Sequence, residues 1–436
     1  MNHQALSELR RQALAAELKG LPQRAVGKSI DELGGLGLSV TRGDMLFPVA
    51  VLKESALAHN SAWMNAFLRR AGVSLCPHGK TTMAPQLFAR QLADGCWGIT
   101  AATASHLRTY RKYGVPRILL ANQLVDRAGI ELLLDELAAD PAFDAYVLID
   151  SIAGLRLLAA EAARRGLQRP VQVLLEVGAE GGRTGVRTLE QGLELGRAIR
   201  DAQAFIALRG VETFEGIFGG PDQAQIELRV LAMLDLVAAL ARTGVEEDWF
   251  APGELILSAG GSAFFDMAAK VLAAVDARRE LRIVLRSGCY LTHDALFYER
   301  MQARMRQRST ALYGPGPGLR SALEVWTVVQ SIPEPGRAIC AMGKRDVSFD
   351  MDMPLALHWL RPDVHADPQA APAGLRITAL NDQHAYVDTS ACELELQVGD
   401  RLGFGISHPC TTFDKWPLLY LVDDDYRVLS GVRTFF

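Results

Sequence analysis

Several things are scarce in this sequence, and each scarcity removes a class of function. Basic residues are not in excess: Lys and Arg number 46 against 50 Asp and Glu, for a net charge of −4. Without a positive surplus there is little to neutralise phosphates, so neither a nucleic-acid nor an anionic-membrane partner is expected. No apolar run approaches the roughly 20 residues of a membrane span, and Val230–Ala241 is interrupted by Asp235. The opening Met1-Asn2-His3-Gln4 has no apolar signal core, which points to a cytoplasmic location. The cysteines are few and scattered (Cys76, Cys96, Cys289, Cys340, Cys392 and Cys410), without framework spacing. They read as reduced thiols. Internal repeats and long low-complexity stretches are absent.

What is present is a long chain with a large apolar fraction. At 436 residues, 49% hydrophobic and 22% charged, it suits a large domain joined to a smaller one. Residues 1–44 read as an N-terminal helical extension: Ala5–Leu18 has helix-forming composition, and Gly34-Gly35-Leu36-Gly37 breaks it. Residues 46–52 read as a strand, with Pro48 placing it at an edge or a strand start. Short apolar strands then alternate with helical segments at Val73–Pro77, Gly98–Ala102, Arg117–Ala121, Ala145–Asp150, Val171–Val177, Ile206–Phe214, Leu255–Ser258 and Arg282–Arg286. Such alternation implies parallel strands with crossover helices. Eight units predict an α/β fold, a (β/α)8 TIM-type barrel over residues 45–300; a doubly wound open sheet is the alternative.

After Leu291 the texture changes. Gly314-Pro315-Gly316-Pro317-Gly318 cannot be regular structure. Short β-rich runs follow at Ala322–Gln330, Ala338–Met342, Leu375–Leu380, His384–Asp388, Arg401–Gly405 and Leu418–Val422. They predict a second, all-β C-terminal domain over residues 301–436, to which the strand at 46–52 is a candidate addition.

Four segments could carry chemistry. Cys76-Pro77-His78-Gly79-Lys80-Thr81 closes the first barrel strand, where catalytic residues of barrels sit. A lysine desolvated at a barrel mouth can form a Schiff base; in solvent it is merely a loop lysine. His78 could back a cofactor or be an ordinary rim residue. Gly178-Ala179-Glu180-Gly181-Gly182-Arg183-Thr184-Gly185-Val186 follows strand five and could aim the Arg183 guanidinium at an anionic oxygen, or carry it incidentally. Gly260-Gly261-Ser262 after strand seven, and Gly288-Cys289 after strand eight, could present backbone N–H groups to a phosphate. His408-Pro409-Cys410 places an imidazole and a thiol on one side of an extended segment, a pairing that suits Zn²⁺. Its plain alternative is a buried cysteine beside an unrelated histidine. His384 is a lesser candidate for the same region.

Taken together, these segments resemble the alanine-racemase-like, fold-type III pyridoxal phosphate enzymes, within them the D-serine dehydratase and D-threonine aldolase group. The resemblance spans roughly residues 45–436; the lysine loop and the His-X-Cys motif are specific, whereas the Gly loops are not. It implies a Schiff base at Lys80 and contact of Arg183 with the cofactor's phenolic oxygen. It also implies phosphate held by the 260–262 and 288–289 loops, zinc at His408 and Cys410, and a homodimer. The His-X-Cys form resembles the zinc-dependent dehydratases; the aldolases more often show an aspartate in place of the cysteine. The chain departs from the group's pattern at Thr81-Thr82-Met83, and at Phe214 and Ile217, where a tyrosine and a histidine are common. The expected activity is therefore a zinc-dependent ammonia-lyase of small 3-hydroxy D-amino acids such as D-serine. An aldolase on the same substrates is the alternative, and a regulatory pyridoxal phosphate-binding protein the non-enzymatic one.

Overall fold

The computed structural model describes all 436 residues. Strand and helix alternate from residue 49. The strands are β1 (Val49–Lys53), β2 (Ser74–Leu75), β3 (Ile99–Ala101), β4 (Arg117–Gln123), β5 (Asp144–Ile149), β6 (Val171–Val177), β7 (Ile206–Thr213), β8 (Leu255–Ala259) and β9 (Leu281–Leu285). A helix separates each from the next. Local chemistry sets several helix starts: Asp126, Ser151, Thr188 and Asp222 each accept a bond from a backbone N–H of the following first turn.

Strands β2 to β9 form one parallel sheet in the order β2-β9-β8-β7-β6-β5-β4-β3. The seam between β2 and β3 closes just beyond the short β2. There the Trp97 amide donates to Leu75 O, the Thr100 amide donates to Pro77 O, and His78 bridges to Thr100. This closure makes a barrel and excludes the doubly wound sheet. Strand β8 is buried along its whole length and β5 nearly so, as a sheet with helices outside and side chains inside requires.

The second sheet gathers β10 (Leu323–Glu334), β11 (Arg337–Cys340), β12 (Leu355–Leu360), β13 (Gln369–Ala370), β14 (Arg376–Leu380), β15 (Ala385–Asp388), β16 (Arg401–Gly405), β17 (Leu418–Val422) and β18 (Val428–Arg433). Its main path is β13-β12-β16-β10-β1-β17-β18, with β11, β15 and β14 continuing from β10. β1 lies inside this sheet, antiparallel to β10 and parallel to β17. It starts at Val49, directly after Pro48, which has no N–H to give to a ladder.

Three strands escape the sequence pattern. A register shift between Ala356 and His358 interrupts β12, β13 has only two residues, and Ser430-Gly431 breaks the apolar alternation of β18. The N-terminal segment also differs from expectation. Its helix is His3–Arg11, and the chain beyond follows an irregular path. Leu14, Leu21, Ile30 and Leu33 are buried there with Val49, Trp326 and Tyr420, so contact with the second sheet overrides helix-forming composition. No helix is long and apolar enough to cross a membrane.

Candidate active site

The C-terminal ends of the barrel strands and the second sheet meet over a cavity of about 220 Å³. His78 and Lys80 line it from beyond β2, Arg183 from beyond β6, Gly261 and Ser262 from beyond β8, and Gly288 and Cys289 from beyond β9. His408 and Cys410, between β16 and β17, line it from the other domain of the same chain. Gly260 sits one residue behind the wall. His384 does not join them: it is exposed in the turn between β14 and β15, where its carbonyl accepts the Asn381 amide.

The lysine loop does not continue the strand. Gly79–Thr81 form a turn of 3-10 helix, closed by the Thr82 and Met83 amides donating to Gly79 O. The turn fits only because two glycines allow close approach. A Cβ on Gly79 would lie 2.4 Å from the Tyr110 hydroxyl, and one on Gly288 would lie 2.5 Å from Thr81 Oγ1 and 2.8 Å from His78 O. Gly288→Ala is therefore expected to displace the lysine turn, lowering kcat/KM about 100-fold and stability by about 1–3 kcal/mol. Steady-state kinetics beside thermal unfolding would check both. His78 Nδ1 is buried without a partner. Burial, then the nearby charges of Lys80, Arg286 and Arg183, hold its imidazole well below the usual range, so the ring is neutral.

Arg183 projects from a loop braced by a second arginine. Arg187 donates to the carbonyls of Gly182, Arg183, Thr184 and Gly185. That frees Arg183, whose guanidinium lies 4.8 Å over the Phe214 ring. Phe214 thus supports Arg183 by a cation–π contact.

The Gly260-Gly261 loop corrects the sequence reading. Both amides, expected to face an anion, donate instead to Glu215: Gly260 N to Oε2 at 3.0 Å and Gly261 N to Oε1 at 2.7 Å. Their N–H groups are committed to a buried carboxylate. Ser262, Gly288 and Cys289 remain on the wall; Ser262 Oγ accepts the Cys289 amide at 3.3 Å.

Beneath the cavity lies a buried charge cluster. Arg286 sits 2.5 Å from Glu212 and donates to Thr213 O at 2.6 Å. Glu176 and Glu215 stand nearby, and burial pushes all three carboxyls up, Glu212 to about 8. One buried arginine does not offset the desolvation of three carboxyls. A folded-state value above the ordinary one stabilises fully below the ordinary carboxylate range and is lost as pH rises through about 8. Unfolding in urea should show stability falling by roughly 1–3 kcal/mol between about pH 5 and 9, given about 1.4 kcal/mol per pKa unit and discounting for Arg286. Glu212→Gln should flatten that slope.

The opposite wall carries the imidazole and the sulfurs. His408 Nδ1 pairs with Asp350 Oδ2 at 2.5 Å, and Thr411 Oγ1 donates to Asp350 Oδ1 at 2.9 Å. Burial works against the imidazolium, but Cys410 and Asp350 outweigh it and hold His408 up at about 9. Cys410 Sγ lies 3.7 Å from Cys289 Sγ and 3.4 Å from Thr81 Oγ1. The Cys289 contact and the imidazole hold the Cys410 thiol well below its usual range; the same contact and burial push Cys289 up. A carboxylate on one imidazole nitrogen and a thiolate beside it is the arrangement in which a histidine presents its other nitrogen to a metal. No three His, Cys, Asp or Glu side chains yet close around one point.

Sequence reasoning missed Asp350, Glu215 and Arg286, and marked Phe214 only as a departure from the group's pattern. Glu212 and Glu215, charged residues at the end of an apolar strand, were a legible signal of buried carboxylates. Asp350 gave none, because its segment has no regular structure.

Comparison with known proteins agrees with this geometry. The alanine racemase N-terminal domain model matches residues 52–263, and the serine dehydratase domain model matches residues 322–422. A D-threonine aldolase from an Arthrobacter species is 25% identical over 86% of this chain and 89% of its own length. D-threo-3-hydroxyaspartate dehydratase from Delftia sp. strain HT23 is 30% identical over 39% of this chain and 43% of its own. The D-threonine aldolase structure from Filomicrobium marinum superposes with a TM-score of 0.72 at 21% identity, covering 91% of this chain and 97% of that one. The lysine-bearing barrel and the second sheet, each matched in its own segment, identify the chain as a member of the alanine-racemase-like, fold-type III group of pyridoxal phosphate enzymes.

Proposed function

We propose that this protein is a cytoplasmic, homodimeric ammonia-lyase of 3-hydroxy D-amino acids such as D-serine, dependent on pyridoxal 5'-phosphate and Zn²⁺. One observation carries the reading: a lysine loop and a thiolate–imidazole pair from the other domain line a single cavity. The cavity suits the cofactor in its donors. Lys80 would anchor it, Arg183 would meet its anionic ring oxygen, and Ser262 with the Gly288–Cys289 segment would take its phosphate. The unpartnered Nδ1 of His78 is a polar atom left over for the same group. His408 and Cys410 would hold the metal.

Bound there, the cofactor supplies an electron sink for the substrate's Cα, and the metal is a Lewis acid toward the 3-hydroxyl. Lys80 Nζ is the amine that takes the proton from Cα. Asp350 keeps the His408 ring oriented, and Phe214, Leu148 and Met351 supply the apolar part of the cavity wall. A simple carrier of the cofactor would leave the thiolate–imidazole pair without a role, which argues against the non-enzymatic alternative.

The aldolase alternative is favoured by the length of the match to a D-threonine aldolase, 86% of this chain. The His-X-Cys pair favours the dehydratase. D-threonine separates them because it can follow either route. Elimination yields 2-oxobutanoate and ammonia; cleavage yields glycine and acetaldehyde. We expect the first pair. Dominant glycine with acetaldehyde would replace the lyase assignment by the aldolase one.

A further inference from the structure

Cys289 has been assigned only through its backbone. Its side chain is 4% exposed and sits against a second cysteine from the other domain. The two sulfurs are 3.7 Å apart. That is far beyond the disulfide bond length of about 2.05 Å. It matches the separation of two thiolates on one tetrahedral zinc, since Zn–S bonds of about 2.3 Å place the sulfurs about 3.8 Å apart.

A thiol–thiolate hydrogen bond can hold the same spacing, so the surroundings decide. Both cysteines line the cavity, and so does His408. The His408 ring is oriented by Asp350 through Nδ1, which leaves Nε2 for a ligand. The loop after β9 is tied down by the Cys289 amide bond to Ser262, and the short helix Cys410–Phe413 by the Thr412 hydroxyl accepting the Ser348 amide at 2.9 Å. Two cysteines distant in sequence are thus fixed face to face beside an imidazole.

We infer that Cys289 is a third protein ligand of the zinc proposed at His408 and Cys410, giving a Cys2His set with one position open to substrate. The inference rests on the metal reading of that pair. It requires the His408 imidazole to turn onto the two sulfurs while keeping its Asp350 bond. Three protein ligands and one exchangeable position are the form of a catalytic zinc site. A second thiolate also biases the site toward Zn²⁺ and away from Mg²⁺ or Mn²⁺, which prefer oxygen. The metal would cross-link the barrel to the second sheet.

The test is zinc K-edge X-ray absorption on the holoenzyme, with metal content and zinc affinity by chelator competition. Wild type should show two sulfur scatterers at about 2.3 Å. Cys289→Ser should show one and bind zinc at least 10-fold more weakly. Cys410→Ala should lose most of the metal. Because the wild-type sulfur count needs no variant, a misfolded Cys289→Ser would not leave the question open. Zinc held by one sulfur in wild type, with Cys410→Ala metal-poor, overturns the inference and leaves the metal site standing. An unchanged sulfur count in Cys289→Ser overturns it too. Wild type that binds no zinc overturns the metal reading itself.

Discussion

Lys80→Ala is expected to lower kcat by about 1000-fold or more, because it removes the amine that anchors the cofactor and takes the substrate proton. The wild-type protein should be yellow; the variant should lose the covalent part of that absorption. Borohydride reduction of the wild type followed by peptide mapping should place the pyridoxyl group on Lys80. Lys80→Arg should fare no better, since a guanidinium stays protonated and cannot act as a base. This separates charge from chemistry: a lysine that only paired with an anion would tolerate arginine. An active, coloured Lys80→Ala protein would refute the reading of the whole cavity.

The second large effect concerns the metal. Cys410→Ala should lower activity by about 100-fold or more, a loss of roughly 3 kcal/mol of transition-state stabilisation. The change removes a thiolate that contacts His408, Cys289 and Thr81 together. Chelation of the wild type should reproduce the variant's kinetics, and added zinc should restore only the wild type. The cofactor's absorption should persist in both, because Lys80 is untouched. Full activity in metal-stripped Cys410→Ala would reduce the His-X-Cys motif to packing.

The barrel was legible because its strands are short apolar runs between helices, and each of the eight proposed strands appears within a few residues of its expected bounds. The candidate residues were picked by position, because barrel chemistry sits just after strands, and Lys80, Arg183, Ser262 and Gly288 do line one cavity. The donors of the glycine loop were not legible, because nothing in Gly260-Gly261 indicates that Glu215, far back in the chain, takes both amides. Likewise, composition alone favoured helix over Gln12–Leu18, where burial of Leu14 and Leu21 against the second sheet wins. Long-range pairing is the part that pattern cannot reach. The 3.7 Å approach of Cys289 to Cys410 exists only once two domains have docked.

The position of β1 has a consequence for how this molecule can be made and cut. Its neighbours β10 and β17 are encoded only after the barrel has ended. The barrel is therefore an insertion within the other domain. On the ribosome, β1 emerges early and stays without partners until Leu323–Glu334 and Leu418–Val422 follow. Trimming the chain up to residue 53 would strip β1 from the sheet and leave facing edges open on β10 and β17, a template for aggregation. The lysine half of the cavity can be shaped midway through synthesis, but its sulfur half arrives almost at the end. Until then, Lys80 has no His408 or Cys410 beside it.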